Sequence, residues 1–121
     1  MVSAWAGANN LVLGQRRTDA KSNEITAIPE LLWVLELSGR TVTIDAMGCQ
    51  KSIARQIVEQ KADYILAVKE NQPALLADVK DWFQMLAVDS LSEQTDCGHG
   101  RMETRRCAVL ADLSLIDNPQ N

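Results

Sequence analysis

The stretch from Thr41 to Val68 constrains the fold more than any other part of the chain. It opens with Thr41-Val42-Thr43-Ile44, β-branched throughout, and closes with Tyr64-Ile65-Leu66-Ala67-Val68, an unbroken apolar run. Between them, Gln50–Gln60 sets Ile53, Ala54, Ile57 and Val58 at helical spacing. Two apolar strands joined through a helix are parallel, because the crossover brings the chain back to start its second strand at the same end. The expected class is therefore α/β. An uninterrupted run such as Tyr64–Val68 further predicts an interior strand covered on both faces.

The flanking segments extend this pattern. Val2–Ala6 and Leu11–Gln15 are short apolar runs around Gly7-Ala8-Asn9-Asn10, which reads as a hairpin. A polar connector, Thr18–Asn23, leads to a helix beginning near Thr26, with Pro29 in its first turn and Gly39 as its stop. Ile28, Leu31, Leu32, Val34 and Leu35 form its apolar stripe. Pro73 opens a third helix, with Leu75, Leu76, Val79, Trp82, Phe83 and Leu86 on its inner face. Asp89–Gly100 reads as a polar loop and Glu103–Leu110 as a candidate last strand. The order is β-β-α-β-α-β-α, with Trp33 and Trp82 assigned to the core. With no repeat or linker in its 121 residues, the chain is expected to form a single domain, 1–121.

Composition narrows the function classes. No apolar run is long enough to cross a bilayer, and the opening MVSAWAGANN lacks the basic start and apolar stretch of a secretory signal. Cys49, Cys97 and Cys107 are odd in number and contain no CxxC pair, which fits free thiols in a reducing compartment. The expected location is the cytoplasm. A formal net charge of −4 argues against a surface that grips DNA phosphate over its whole extent. Any nucleic-acid contact must be local.

Asp45 is the leading candidate for chemistry. It follows the Thr41–Ile44 strand directly, and Gly48 breaks the chain beyond it. Open α/β sheets bind ligands at the carboxyl ends of their strands, and a carboxylate there can hold a hard cation such as magnesium. The alternative is that Asp45 simply caps the turn.

Lys69-Glu70-Asn71-Gln72 follows the next strand and lies beside Asp45 if the two strands are neighbours. Lys69 can meet a phosphate, and Asn71 and Gln72 can donate to a backbone or a base. The competing reading is that Asn71 caps the Pro73 helix. Arg101, Glu103 and Arg105, just after His99, share one face if their segment is a strand. Such alternating charge is either a solvated edge or a phosphate contact. Two rival constellations are weaker. Cys49 with His99 resembles a thiol nucleophile and base without anything to join them. Cys97, His99 and Cys107 lack a fourth zinc ligand.

These residues also fall into a recognisable series. VSAWA, LVLGQ, TDAKSNEITAIPELL, VTIDAMGCQKSIA, IVEQKADYILAVKENQ and HGRMETRR occur in the order found in transposases of H-repeat-associated insertion sequences, and the chain resembles that DDE-type family over nearly its whole length. The resemblance implies a ribonuclease-H-like catalytic domain, in which an Asp-Asp-Glu triad holds two magnesium ions. Those ions activate water, or a DNA 3′-hydroxyl, for in-line attack on a phosphodiester. Asp45, in TIDAMGCQK, matches the second Asp. Glu70 stands where the family's KGNQ motif has Gly, which adds negative charge near a phosphate site. Glu103 is not the triad Glu, because that residue belongs to a later His-Trp-x-x-Glu-Asn helix.

The family's first Asp lies upstream of VSAWA, in an Asp-Gly-Lys motif. The chain is accordingly expected to be an internal piece, a partial ribonuclease-H-like fold. Its mixed sheet would have helices on both faces and lack the first central strand. Inactivity of the chain alone follows from having one carboxylate of three. The exposed edges beside the missing strand are expected to be covered by Glu103–Leu110, by a second copy of the chain, or by nothing. The alternatives to a transposase piece are a non-catalytic remnant that binds DNA or transposase subunits as a regulator or decoy, and a Cys-His hydrolase.

Overall fold

A computed structural model describes residues 1–18, 24–98, 100–112 and 114. Among these residues the fold is mixed α/β, with three α-helices and three two-stranded sheets. It divides into two compact units, Met1–Pro73 and Ala74–Asn121.

In the first unit, β1 (Val2–Ala6) and β2 (Leu11–Arg16) form the expected antiparallel hairpin. Its turn places Asn10 at φ 51°, a left-handed conformation that Asn accepts more readily than most side chains. A register shift between Ala4 and Trp5 marks a bulge. Helix α1 (Glu24–Trp33) packs on this hairpin closely enough that a Cβ on Gly14 would stand 3.0 Å from Leu31 Cδ1. The helix starts two residues before Thr26, so Pro29 lies inside it rather than in its first turn. It also ends well before Gly39, because Val34 and Leu35 donate back to Leu31 and Leu32 in tighter i to i+3 turns. Gly39 instead serves a later turn at φ 70°, where its N–H donates to the Lys61 carbonyl at 2.9 Å.

Strand β3 (Thr41–Ile44) pairs in parallel with β4 (Asp63–Leu66), from Thr41 opposite Asp63 to Ile44 opposite Leu66. Helix α2 (Lys51–Glu59) makes the crossover, as its spacing predicts. Its inward face is Ile53, Gln56 and Ile57, and both isoleucines are completely buried. Burying a side chain of that size contributes about 1.5–3 kcal/mol. They meet Ile28, Leu32, Leu37 and Ala62, with Val2, Leu35, Val42 and Ile44 packed around them. The Gln56 side chain is satisfied by donating to the Pro29 carbonyl at 2.9 Å.

Several expectations are corrected here. Among the described residues β4 pairs in parallel with β3 alone and leaves Tyr64 and Ile65 exposed, so it is not interior. Val58 points away from the buried face of α2, and Trp33 is 65% exposed, outside the core. Among the described residues of this unit, β1–β2 and β3–β4 are two separate two-stranded sheets rather than parts of one mixed sheet.

The second unit holds most of α3 (Pro73–Met85), β5 (Ser90–Gly98) and β6 (Arg101–Val109). β5 occupies the segment expected to be a loop. Its polar residues carry no strand-like periodicity, and the strand exists because β6 supplies a full antiparallel ladder from Ser90–Val109 to Gly98–Arg101. Among the described residues, the strand formed by the Glu103–Leu110 segment pairs with β5. No residue of α3 is buried, and the face expected to point inward leaves Leu75 and Phe83 exposed. Among the described residues, no helix is long and apolar enough to cross a membrane.

Candidate functional site

The site begins where β3 ends. Asp45 is extended (φ −68°, ψ −178°) and caps a single 3-10 turn, Ala46–Gly48, by accepting from the Met47 N–H at 3.1 Å through Oδ1. The capping role expected of it is therefore real, and it engages one oxygen. Oδ2 has no hydrogen-bond partner among the described residues, and the side chain is exposed. Gly48 closes the turn against β3: a Cβ there would overlap Ile44 Cγ2 and reach Ile28 Cδ1 at 3.6 Å. Only glycine lets the chain turn this tightly over the core.

Asp45 lies at the rim of a cleft of about 330 Å³. It is lined by Val2, Ser3 and Ala4 of β1, by Val42, Thr43 and Ile44 of β3, and by Ile28, Leu31 and Leu32 of α1. Most of the lining side chains are apolar, and Asp45 is the acidic residue among them.

The parallel pairing of β3 and β4 brings the Lys69–Gln72 segment to the same end of the strands as Asp45. The Ala67 N–H donates to the Ile44 carbonyl at 3.3 Å, and the Gln72 N–H closes a turn onto the Lys69 carbonyl at 2.9 Å. From this turn the Asn71 side chain donates to the Ala46 carbonyl, and Gln72 Nε2 donates to the Cys49 carbonyl at 2.8 Å. Lys69 and Glu70 are exposed, and the Lys69 ammonium has no partner among the described residues. Asn71 and Gln72 thus lie beside the Asp45 turn and donate to backbone, as expected if the two strands are neighbours, whereas which carbonyls they reach has no local sequence signal, because those partners are more than twenty positions away.

In the second unit Arg101, Glu103 and Arg105 share a face, as expected of a strand. Arg105 pairs with Glu103 at 3.1 Å, while Arg106, on the opposite face, gives Glu93 Oε2 two bonds of 3.0 and 2.8 Å. Arg101 has no side-chain partner among the described residues. His99 lies outside the described residues, as do Lys21, Ser22 and Asn23 of the KSNEI segment.

The rival sites fare poorly. Cys97 pairs with Met102 and Cys107 with Ser92, five ladder steps apart, so the two thiols lie on opposite faces and cannot share an ion. Cys49 is buried. Among the described residues no three His, Cys, Asp or Glu side chains gather as a metal site. Asp45 alone supplies at most two of the roughly six oxygens that a magnesium ion takes, so the described residues do not by themselves fit a two-ion site.

Comparison with known proteins adds independent findings. Residues 1–107 match the family described as Transposase DDE domain. A protein of Xanthobacter autotrophicus, "Uncharacterized protein in dhlA 3'region", is 48% identical across 96% of this chain and 40% of its own length. In Escherichia coli K12, "Putative transposase YncI" is 54% identical across 87% of the chain and 44% of itself. From the same organism, "H repeat-associated putative transposase YbfD" is 44% identical across 97% and 48%. The chain spans less than half the length of the curated relatives it matches. No solved structure matches it.

Proposed function

The chain belongs to the transposase DDE domain family, and from that premise we propose that it is one part of the DNA-cutting and DNA-joining machinery of an insertion sequence. The fold assigned by this proposal is ribonuclease-H-like, with residues 1–121 as part of a single catalytic domain. Asp45 is one of its metal-holding carboxylates and magnesium is the metal. Lys69, His99, Arg101 and Arg105 are assigned to DNA contact, and the cytoplasm is the location; Asn71 and Gln72, the other two candidates for DNA contact, have side-chain amides that donate instead to the Ala46 and Cys49 carbonyls.

One observation carries the reading. A lone exposed acid stands at the carboxyl end of a parallel strand and lines a cleft, with one oxygen engaged by its own turn and the other without a hydrogen-bond partner among the described residues. Strand ends of this kind are where α/β sheets hold ligands. Bound magnesium would polarise a phosphodiester and stabilise the charge that builds as the bond breaks. Asp45 contributes the orientation of one carboxylate to that chemistry. Because no second and third acid join it among the described residues, the 121-residue chain by itself is expected to cut no DNA.

Manganese is a paramagnetic stand-in for magnesium and tests the assignment. Titrated into the chain, it should broaden the amide signals of Ala46 and Met47 first, and Asp45→Asn should abolish that selectivity. Equal broadening in the variant would dismiss Asp45 as a ligand. Supercoiled plasmid should stay intact with magnesium or manganese. Nicking that disappears in Asp45→Ala would refute the inactivity.

A second reading is favoured by the cleft. Among the described residues β1 and β3 each have one paired edge, and residues of both line the cleft. An unpaired edge is a template for another strand, which supports self-association or docking with transposase subunits as a non-catalytic regulator. Sedimentation equilibrium tests it: a monomer at all concentrations, with no binding to a longer relative, would end this reading.

A further inference from the structure

We propose that Asn71 and Gln72 are positioning residues, whose side-chain amides clamp both ends of the Ala46–Cys49 turn and so hold the Asp45 carboxylate in place. The inference rests on the reading of Asp45 as a metal ligand and adds to it a device for holding that ligand.

The turn needs such a device. It is one 3-10 turn long, closed by Gly48 N–H to the Asp45 carbonyl at 3.0 Å and Cys49 N–H to the Ala46 carbonyl at 3.2 Å. Hydrogen-bond geometry in 3-10 turns is poor, and one turn has no neighbouring turns to reinforce it. Asp45 itself is exposed, so packing does not lock its side chain. Its one fixed contact is the Met47 N–H, and that contact keeps its direction only if the turn does.

The Lys69–Gln72 turn supplies the missing constraint. Asn71 donates to the carbonyl of Ala46, the residue directly after the carboxylate. Gln72, half-buried, donates to the carbonyl of Cys49, where the turn leaves toward α2. The two anchors lie on consecutive residues, and the turn that presents them is itself closed by the Gln72 N–H to Lys69 carbonyl bond. The parallel β3–β4 ladder, ending at Ile44 opposite Leu66, sets the distance between the two loops. Asn71 and Gln72 thus carry out, two bonds removed, what outer partners of metal ligands do: they fix ligand direction. This role differs from direct DNA contact because the side-chain amide N–H groups donate to the protein's own backbone carbonyls.

Asn71→Leu and Gln72→Met keep approximate side-chain size, add no charge and remove the donors. In the isotope-labelled chain, either change should displace the Met47 amide signal and raise the manganese concentration needed to broaden Ala46 and Met47 about tenfold. The Ile57 amide, on the buried face of α2, should not move. Unchanged Met47 and manganese response in both variants would overturn the proposal. Loss of DNA retention with Met47 unmoved would also overturn it, by making these residues DNA contacts.

Should wild type and Asp45→Asn respond alike to manganese, the metal reading falls. The clamp is then judged on Met47 alone, in the absence of metal. If a variant fails to fold, a through-hydrogen-bond coupling between Gln72 Nε2 and the Cys49 carbonyl carbon is sought in wild type. Its presence supports the clamp and its absence ends it.

Discussion

In the hairpin of β1 and β2, alternate residues of β1 turn inward and Val2 packs against the core beneath α1. In the hairpin of β5 and β6 the strands are longer, yet every described residue is exposed except Ala108, which is half-buried. Both pair in the same antiparallel manner, so backbone hydrogen bonding does not distinguish them. The first has a helix to roof it, with Leu31 against Gly14 and Arg16 pairing with Glu30 at 3.4 Å. The second is held by cross-strand pairs such as Glu93–Arg106 and Thr95–Thr104, each worth about 0.2–1 kcal/mol. A ladder is enough to make a strand, but a core requires apolar side chains on a second layer.

The largest expected effect breaks the roofed region alone. Ile57→Ala removes a fully buried side chain and should cost about 2–5 kcal/mol, read by chemical denaturation. Amide exchange should accelerate across α2, β3 and β4 while β5 and β6 keep their wild-type rates. An equal acceleration in β5–β6 would erase the contrast between the two regions. Gly48→Ala comes next: its new methyl meets Ile44 and should cost about 1–3 kcal/mol through overpacking. Combining it with Ile44→Ala should be less harmful than the sum of the two, a coupling read from a double-mutant cycle.

Effects in the exposed hairpin should be far smaller. Arg106→Ala breaks an ion pair whose side chains are well exposed and should cost under about 1 kcal/mol. Repeating the melt at high salt should shrink that difference, since screening weakens exposed pairs. The smallest effect belongs to Asp112, whose carboxyl is held below its ordinary pKa by the Ser114 side chain and then by the Ser114 N–H. A depressed folded pKa stabilises above the unfolded value and loses that contribution as pH falls through the folded one. Because the group is fully exposed, the signature should be a low titration midpoint in its carboxyl signal and no detectable shift of the melt.

The elements readable in advance are those whose side chains carry a period. The hairpin around Gly7–Asn10, the β3–α2–β4 crossover and the Pro73 start of α3 all follow from apolar spacing and turn residues. β5 was not readable, because Ser90–Gly98 alternates nothing apolar and acquires its conformation from β6. Trp33, Tyr64 and Ile65 misled for the converse reason. Their hydrophobicity states a preference for burial, and whether a neighbouring layer exists to satisfy it is not a local property.

The candidate site divides in the same way. An acid after a β-branched run, followed by glycine, marks Asp45 from the chain alone, and the ordered series of motifs marks the family. What only the folded molecule decided is how that acid is held. Gln72 reaches Cys49 because two strands distant in sequence lie side by side, and the cleft gathers residues of β1, β3 and α1 that are far apart in the chain. Local residue order determines secondary structure and candidate chemistry through short-range sterics and periodicity. Neighbours in space are set by how whole layers pack, a many-body outcome that no single segment contains.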